Sequence, residues 1–348
     1  MDKEVITKII EAANHAPSGG NSQPWRFIVA GDSIKIVMLT ENEHPILNFK
    51  TRGTYIAHGA LLENIRVAAR HFGYKALFSV FPEPTVSAIV TFRPSDKHSD
   101  IDLYDAVSKR HSNRKPYNTI LLSEDTKNFV FHEADGFPQC RLSLIEGTSV
   151  GLVAESTALD IRINLENKRL HELFFKEVLW KEEDQHTRPG LYIKTMEAEP
   201  PKSSVMRLLG SWRVAQFFKK MTLIQKITEE NAKTLASTGA FGAIIVTNDD
   251  HSFISAGRMI ENIWLRATNA GLCLHLVAGF VFLWQQAQFG EQQIFSDKER
   301  KDIAEAYQKL GEIFQVRPGE VIAATFRIGE APPPLAVSYK RSAEIDWR

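Results

Sequence analysis

The residues predict an α+β fold made of two related halves in one chain. Three observations lead there. Gly59-Ala-Leu-Leu-Glu-Asn-Ile65 and Gly257-Arg-Met-Ile-Glu-Asn-Ile263 align at an offset of 198 positions, which also pairs Ala69 with Ala267 and Gly73 with Gly271. Each copy follows an apolar strand-like run, Phe27-Ile-Val-Ala-Gly-Asp32 and Ile244-Ile-Val-Thr-Asn-Asp249. Helical periods alternate with short β-patterned runs along the chain. Two apolar helices carrying Glu-Asn can also look alike by chance. A true duplication would pack its copies as a dimer does, inside one chain. On that reading residues 1–100 are the first half and 101–348 the second, with an insert at about 181–236.

Ile6, Ile9, Ile10 and Ala13 recur at helical spacing, so residues 2–15 read as a helix. Two prolines and two glycines make Ala16–Pro24 a loop. Trp25–Ala30 and Ile34–Leu39 read as strands. Residues 55–72 form a long helix that Gly73 stops. Strands follow near 75–81 and 87–92, a helix at 102–111, and one or two helices in 148–180. Gly271–Trp284, interrupted by His275, is too short to span a membrane and reads as a buried element. A strand at 321–327 leads through Ala331-Pro-Pro-Pro334 into an extended arm.

Composition narrows the function. There are 42 Lys and Arg against 42 Asp and Glu, so no basic excess points to nucleic acid or an anionic membrane. Two cysteines without metal-type spacing, Cys140 and Cys273, fit a reducing cytosol. The first residues lack the apolar region of a secretion signal, so a cytoplasmic protein is expected. His171-Glu172 begins like a zinc-protease motif, but position 175 is Phe, and no metal site is expected. Neither GxGxxG nor GxxxxGK[ST] occurs, and no Ser-His-Asp order can be defended. His275 on an apolar run reads as a satisfied core histidine and not a base.

Two segments could carry chemistry. Ala16–Trp25 exposes backbone N–H and C=O groups beside small side chains. It is either a tight structural turn or a loop lying flat against a planar ring. Arg110-His-Ser-Asn-Arg114 sets two arginines around a serine hydroxyl after a helix. It is either a solvated basic helix end or a grip on a phosphate. The insert, rich in Lys, Glu and Gln, has an apolar face through Trp212, Phe217, Phe218 and Met221. It is either a lid or a solvated linker with a packed helix.

Ala16-Pro-Ser-Gly-Gly-Asn-Ser-Gln-Pro-Trp-Arg-Phe27 resembles the signature of the nitroreductase family of FMN flavoproteins. Arg110-His-Ser-Asn-Arg114 resembles that family's Arg-x-Ser-x-(Lys/Arg) motif. The usual members carry the basic motif first, in a one-unit chain that forms a domain-swapped homodimer. The inverted order here resembles the fused, single-chain branch, a nitroreductase-like fold with an internal pseudo-dimer, which includes flavin-sequestering proteins. Lys50-Thr-Arg-Gly53 departs from the turn that branch has before its Gly-Ala-Leu helix.

The resemblance implies FMN as cofactor and NAD(P)H as electron donor. Arg110 and Ser112 would hold the phosphate or ribityl chain, with His111 in the same motif, and Arg114 would reach the pyrimidine edge. Pro17, Ser18, Gly19 and Asn21 would touch the same flavin from the opposite half. Gln23 would tie down the loop and Trp25 would anchor it in the core. In Gly271–Phe280 the backbone N–H of Ala278, beside Gly279, would face flavin N5. Lys340 and Arg341 would approach the phosphate or form an exposed tail. No catalytic side chain is assigned, because flavin supplies the chemistry. The implied activity is reduction of a small nitroaromatic, quinone or flavin acceptor by a monomer. The alternative is FMN storage behind a closed lid. Neither nucleic acid nor membrane is an expected partner.

Overall fold

A computed structural model describes residues 1–95, 103–137 and 139–348. Helix α1 (Lys3–Asn14) opens on Asp2, whose carboxylate accepts from the Glu4 N–H at 2.9 Å, and buries Ile6, Ile9, Ile10 and Ala13. Strand β1 (Trp25–Ala30) buries Trp25, Phe27 and Val29 in alternation, and β2 (Ser33–Met38) turns back against it. Helix α2 (Arg52–His71) begins earlier than its periodicity suggests, after Lys50 and Thr51 at positive φ. Strands β3 (Tyr74–Glu83) and β4 (Val86–Pro94) and the short α3 (Tyr104–Lys109) follow. The expected start of that helix at 102 lies outside the described residues.

Next come α4 (Glu124–Val130), β5 (Cys140–Ile145), α5 (Ser149–Glu166) and α6 (Lys168–Glu177). Strand β6 (Val178–Leu179) leads into the insert, which holds α7 (Asp184–Thr187), β7 (Leu191–Tyr192), α8 (Lys202–Leu209), α9 (Trp212–Lys220) and α10 (Leu223–Ala236). The second half resumes with β8 (Ala240–Thr247), α11 (Asp250–Asn269), β9 (Cys273–Leu276), α12 (Gly279–Phe289), α13 (Asp297–Ile313), β10 (Glu320–Gly329) and β11 (Ile345–Trp347). The apolar run 271–284 is thus a strand and the first turns of a helix. Among the described residues no helix is long and apolar enough to cross a membrane.

Two sheets form, in the orders β11-β1-β2-β4-β3 and β5-β8-β10-β9, and β6 and β7 make a separate two-strand ladder. The long helices α2 and α11 pack against each other between the two cores. Their contact is reciprocal. A Cβ on Gly59 would lie 2.1 Å from the Ile254 carbonyl oxygen, and one on Gly257 would lie 2.0 Å from that of Ile56. Only glycine lets the backbones approach this closely. The Asn262 amide donates to Glu63 at 3.0 Å, while Asn64 faces Glu261. Each residue pair recurs on adding 198 to one residue and subtracting it from the other, although the Asn262–Glu63 hydrogen bond has no counterpart between Asn64 and Glu261. That is the rule of a twofold contact.

The two cores interlock. Leu103, Ala106 and Val107 join the core of the first sheet, with Ile254 and Leu265 from α11, while Ile46 and Ile56 enter the core of the second. β11 completes the first sheet by pairing parallel with β1, Phe27 opposite Ile345. A division at residue 100 falls among 96–102, outside the described residues, and the cores do not separate there. α3 is buried with the first half, because its apolar face needs the α1–α2 surface.

Candidate functional site

The loop after α1 is held in an unusual shape. Gly20, Asn21 and Gln23 have φ of 54°, 53° and 49°. Local bonds sustain it: the Gln23 N–H donates to the Ser18 hydroxyl at 3.0 Å, and the Gln23 amide donates to Asn14 Oδ1 at 2.9 Å. Gln23 Oε1 accepts from the Arg341 N–H at 2.9 Å, and the Trp25 indole N–H donates to Asn14 Oδ1 at 2.8 Å. Gln23 therefore ties the loop to the C-terminal arm, and Trp25, 3% exposed, anchors it in the core.

Residues 110–114 pass the same loop. The Ser112–Leu274 bridge docks them on β9. One cleft results, lined by Pro17, Ser18 and Asn21 from the first half and by Arg110, His111, Ser112 and Arg114 from the second. Lys340, the arm residues 336–338, and Leu191 and Thr195 of the insert complete the wall. The space within it is narrow, ≈ 80 Å³. Segments far apart in sequence converge here because the arm returns along β1 to form β11.

The cleft is rich in cations. Arg110 pairs with the buried Glu261 at 2.9 Å, donates to the His15 carbonyl at 2.5 Å, and lies 4.5 Å from the Trp264 ring centroid. Arg114 donates to the Thr195 carbonyl at 2.9 Å. The Lys340 ammonium donates to the Ala16 carbonyl at 2.7 Å and to Asn21 Oδ1 at 3.0 Å. Burial, followed by the Arg110 charge, pushes Lys340 down to about 7. Burial pushes Glu261 up to about 7, against the pull of Arg110 and Lys340. Burial also lowers Arg114. Three cations thus line a cleft where, among the described residues, Glu261 is the one carboxylate paired to them, and all three donate to backbone carbonyls. Such a donor set fits a phosphate or another anion, which would restore the charge of Lys340.

Four of the expected residues lie outside the lining. Gly19 sits behind the loop, and Glu43 Oε2 would lie 3.5 Å from a Cβ there. Arg341 turns away from the cleft, and its guanidinium donates to the Ser22 carbonyl at 2.7 Å. Ala278 is buried at the start of α12. Gly279 packs on Asp160, whose carboxylate oxygen would be 2.2 Å from a Cβ at that position. The apolar face of α9 does not reach the cleft either. Trp212 meets His171 edge-on, ring centroids 5.2 Å apart, and Phe217 and Met221 are exposed. The parts of the insert that wall the cleft are Leu191 and Thr195. His275 is half-buried and accepts from Arg327 at 3.2 Å, while desolvation, followed by the Arg327 charge, holds it well below its usual pKa. Glu261 was not singled out from the sequence as a site residue. Its signal was present: a Glu-Asn pair on an otherwise apolar helix needs buried partners.

Residues 1–76 match the family model described as Nitroreductase family. That segment is similar to this family. An uncharacterized protein of Mycobacterium tuberculosis is 24% identical over 96% of this chain and 47% of its own length. The chain therefore spans about half the length of that relative. The protein acg of the same organism, named as a candidate NAD(P)H nitroreductase, is 29% identical over 77% of this chain and 78% of its own. Among solved structures, an FMN-dependent nitroreductase of Clostridium difficile matches at 11% identity and a TM-score of 0.39. That match covers 70% of this chain and 97% of the other.

Proposed function

We propose that this chain is an FMN-dependent NAD(P)H oxidoreductase of nitroreductase type acting on small nitroaromatic, quinone or flavin acceptors. Its two halves form an internal pseudo-dimer with one flavin site. The observation that carries the reading is the single cleft lined by Pro17, Ser18 and Asn21 from one half and by Arg110, Ser112, Arg114 and Lys340 from the other. The names of relatives and of structures in the comparison, which mention FMN and NAD(P)H, support the cofactor.

Bound FMN would supply hydride transfer through N5, with donor and acceptor using one face in turn. The chain's own groups bind and orient. Arg110, Ser112 and Lys340 offer donors to a phosphate, and Arg114 adds positive charge where electron density would accumulate. Glu261 keeps Arg110 in position across the α11 surface, and Trp264 stacks behind it. Leu191, Thr195 and residues 336–338 keep water from the cleft. We assign no general acid or base. The expected setting is the cytoplasm, with both cysteines free.

One observation favours a second reading, FMN storage with little turnover. Leu191 and Thr195 already wall a narrow cleft, and the Thr195 carbonyl accepts from Arg114. A visible spectrum of the purified full chain, followed on adding NADPH, separates the readings. Rapid bleaching of a flavin band supports the reductase. A flavin band that persists supports storage. A colourless protein that takes up no added FMN refutes both.

A further inference from the structure

A second cavity lies wholly within residues 180–207. It is ≈ 400 Å³, and its lining includes Trp180, Tyr192, Ile193, Ser203, Ser204 and Arg207. That is within the range of about 300–1,000 Å³ typical of small-molecule sites. It stands back to back with the cation-rich cleft. Leu191 and Thr195 face the cleft, while Tyr192, Ile193 and Lys194, between them in sequence, face this cavity.

Its chemistry divides into three parts. One wall is aromatic and apolar: half-buried Trp180 with buried Tyr192 and Ile193, which belong to a small core of their own. A second group is cationic and hydroxylic. The Arg207 guanidinium lies 4.8 Å from the Trp180 ring centroid and has no hydrogen-bond partner among the described residues. The Ser203 and Ser204 hydroxyls and the Lys194 ammonium are equally unpaired among those residues. The third part is one carboxylate, Glu199, which is exposed at the rim. Arginine, lysine and paired hydroxyls recognise phosphate, an indole wall takes a planar ring, and a carboxylate accepts from ribose hydroxyls.

We propose that this cavity binds a nucleoside phosphate, with the ring against Trp180 and Tyr192 and the phosphate on Arg207, Ser203 and Ser204. The site belongs to the insert and stands independently of whether the cleft holds flavin. Two sources share this chemistry, a free mononucleotide and the adenylate end of a dinucleotide.

Calorimetric titration of the full-length protein tests it, with AMP, 2′,5′-ADP, adenosine and inorganic phosphate as probes. Binding of AMP or 2′,5′-ADP, with adenosine and phosphate each at least about tenfold weaker, is expected. Preference for 2′,5′-ADP assigns the cavity to the adenylate end of NADPH, and preference for AMP assigns it to a free nucleotide. Arg207→Ala should weaken either by roughly tenfold or more, the loss of a charge-assisted contact. Ser204→Ala should weaken it less. Both residues are on the surface of α8, and thermal melts confirm that the variants fold. The proposal is overturned if neither nucleotide binds below millimolar concentration. It is also overturned if phosphate alone binds as well as AMP, or if both variants bind like the parent.

Discussion

Lys340 gives the sharpest test of the cleft. Its ammonium is buried with Arg110 beside it, and its pKa is pushed down to about 7. At pH 8 about nine-tenths of Lys340 is then neutral, and at pH 6 about one-tenth. A phosphate bound against it favours the charged form and draws the pKa back up. FMN binding should therefore take up about 0.9 proton at pH 8, whereas at pH 6 Lys340 is already charged and the FMN phosphate, with a second pKa of about 6, gives up protons instead. The apparent affinity should fall towards tenfold per pH unit above 7. The measurement is calorimetric titration of flavin-free protein with FMN, in buffers of different ionisation enthalpy. Glu261, also near 7, contributes uptake of the same sign, because a nearby phosphate disfavours its ionised form. Glu261→Gln run beside Lys340→Met apportions the two. An uptake at pH 8 below about 0.3, or one that Lys340→Met leaves unchanged, refutes the placement of the phosphate on Lys340.

Burial raises Glu43, Glu177 and Glu261 each to about 7. Their stabilising effect is complete below about pH 4.5 and is lost as pH rises to 7, so the melting temperature should be higher at pH 5.5 than at pH 7.5. Glu177→Gln should flatten that slope, and an unaltered slope counts against its burial. Lys340, with its folded pKa depressed, acts in the other window: the folded state gains stability as pH rises from 7 to about 10.5, so ligand-free protein should regain stability above 7. Gly257→Ala puts a methyl 2.0 Å from the Ile56 carbonyl oxygen, and should cost about 3 kcal/mol or more by denaturant titration. A loss under about 1 kcal/mol would mean that the α2–α11 contact is not this close. Gly190 has φ of 148° and a Cβ there would lie 2.4 Å from the Glu177 carbonyl. Gly190→Ala should displace residues 191–195 and speed NADPH reduction of bound flavin, read by stopped-flow absorbance; an unchanged rate removes that segment as a barrier.

Much of the fold was legible because its signals are local. β1 runs from Trp25 to Ala30 as the alternation requires, and Gly73 ends the turn after α2. The Gln-Pro-Trp loop and the Arg-His-Ser-Asn-Arg run could be picked out from residue type alone. What stayed hidden depends on which surfaces meet. The apolar face of α9 announces a helix that packs, but not whether its neighbour is α6 or a ring. Leu191 and Thr195, which do wall the cleft, lie in a two-residue strand and a short turn with no period to detect. Arg341 and Lys340 are adjacent basic residues, and only the path of the arm sends one behind the loop and the other into the cleft. The burial of Glu261 follows from the helix pair, where a single-helix pattern sees only a charge.

The reciprocal glycine contact has an evolutionary consequence. In a homodimer every substitution appears twice, once on each side of the axis, so both sites stand or fall together. Here Gly59 and Gly257 are separate codons. A change near one leaves its counterpart untouched, and each half can drift under its own selection so long as the shared seam keeps its two small residues. A chain built this way is free to specialise one side and to spend the other on something else.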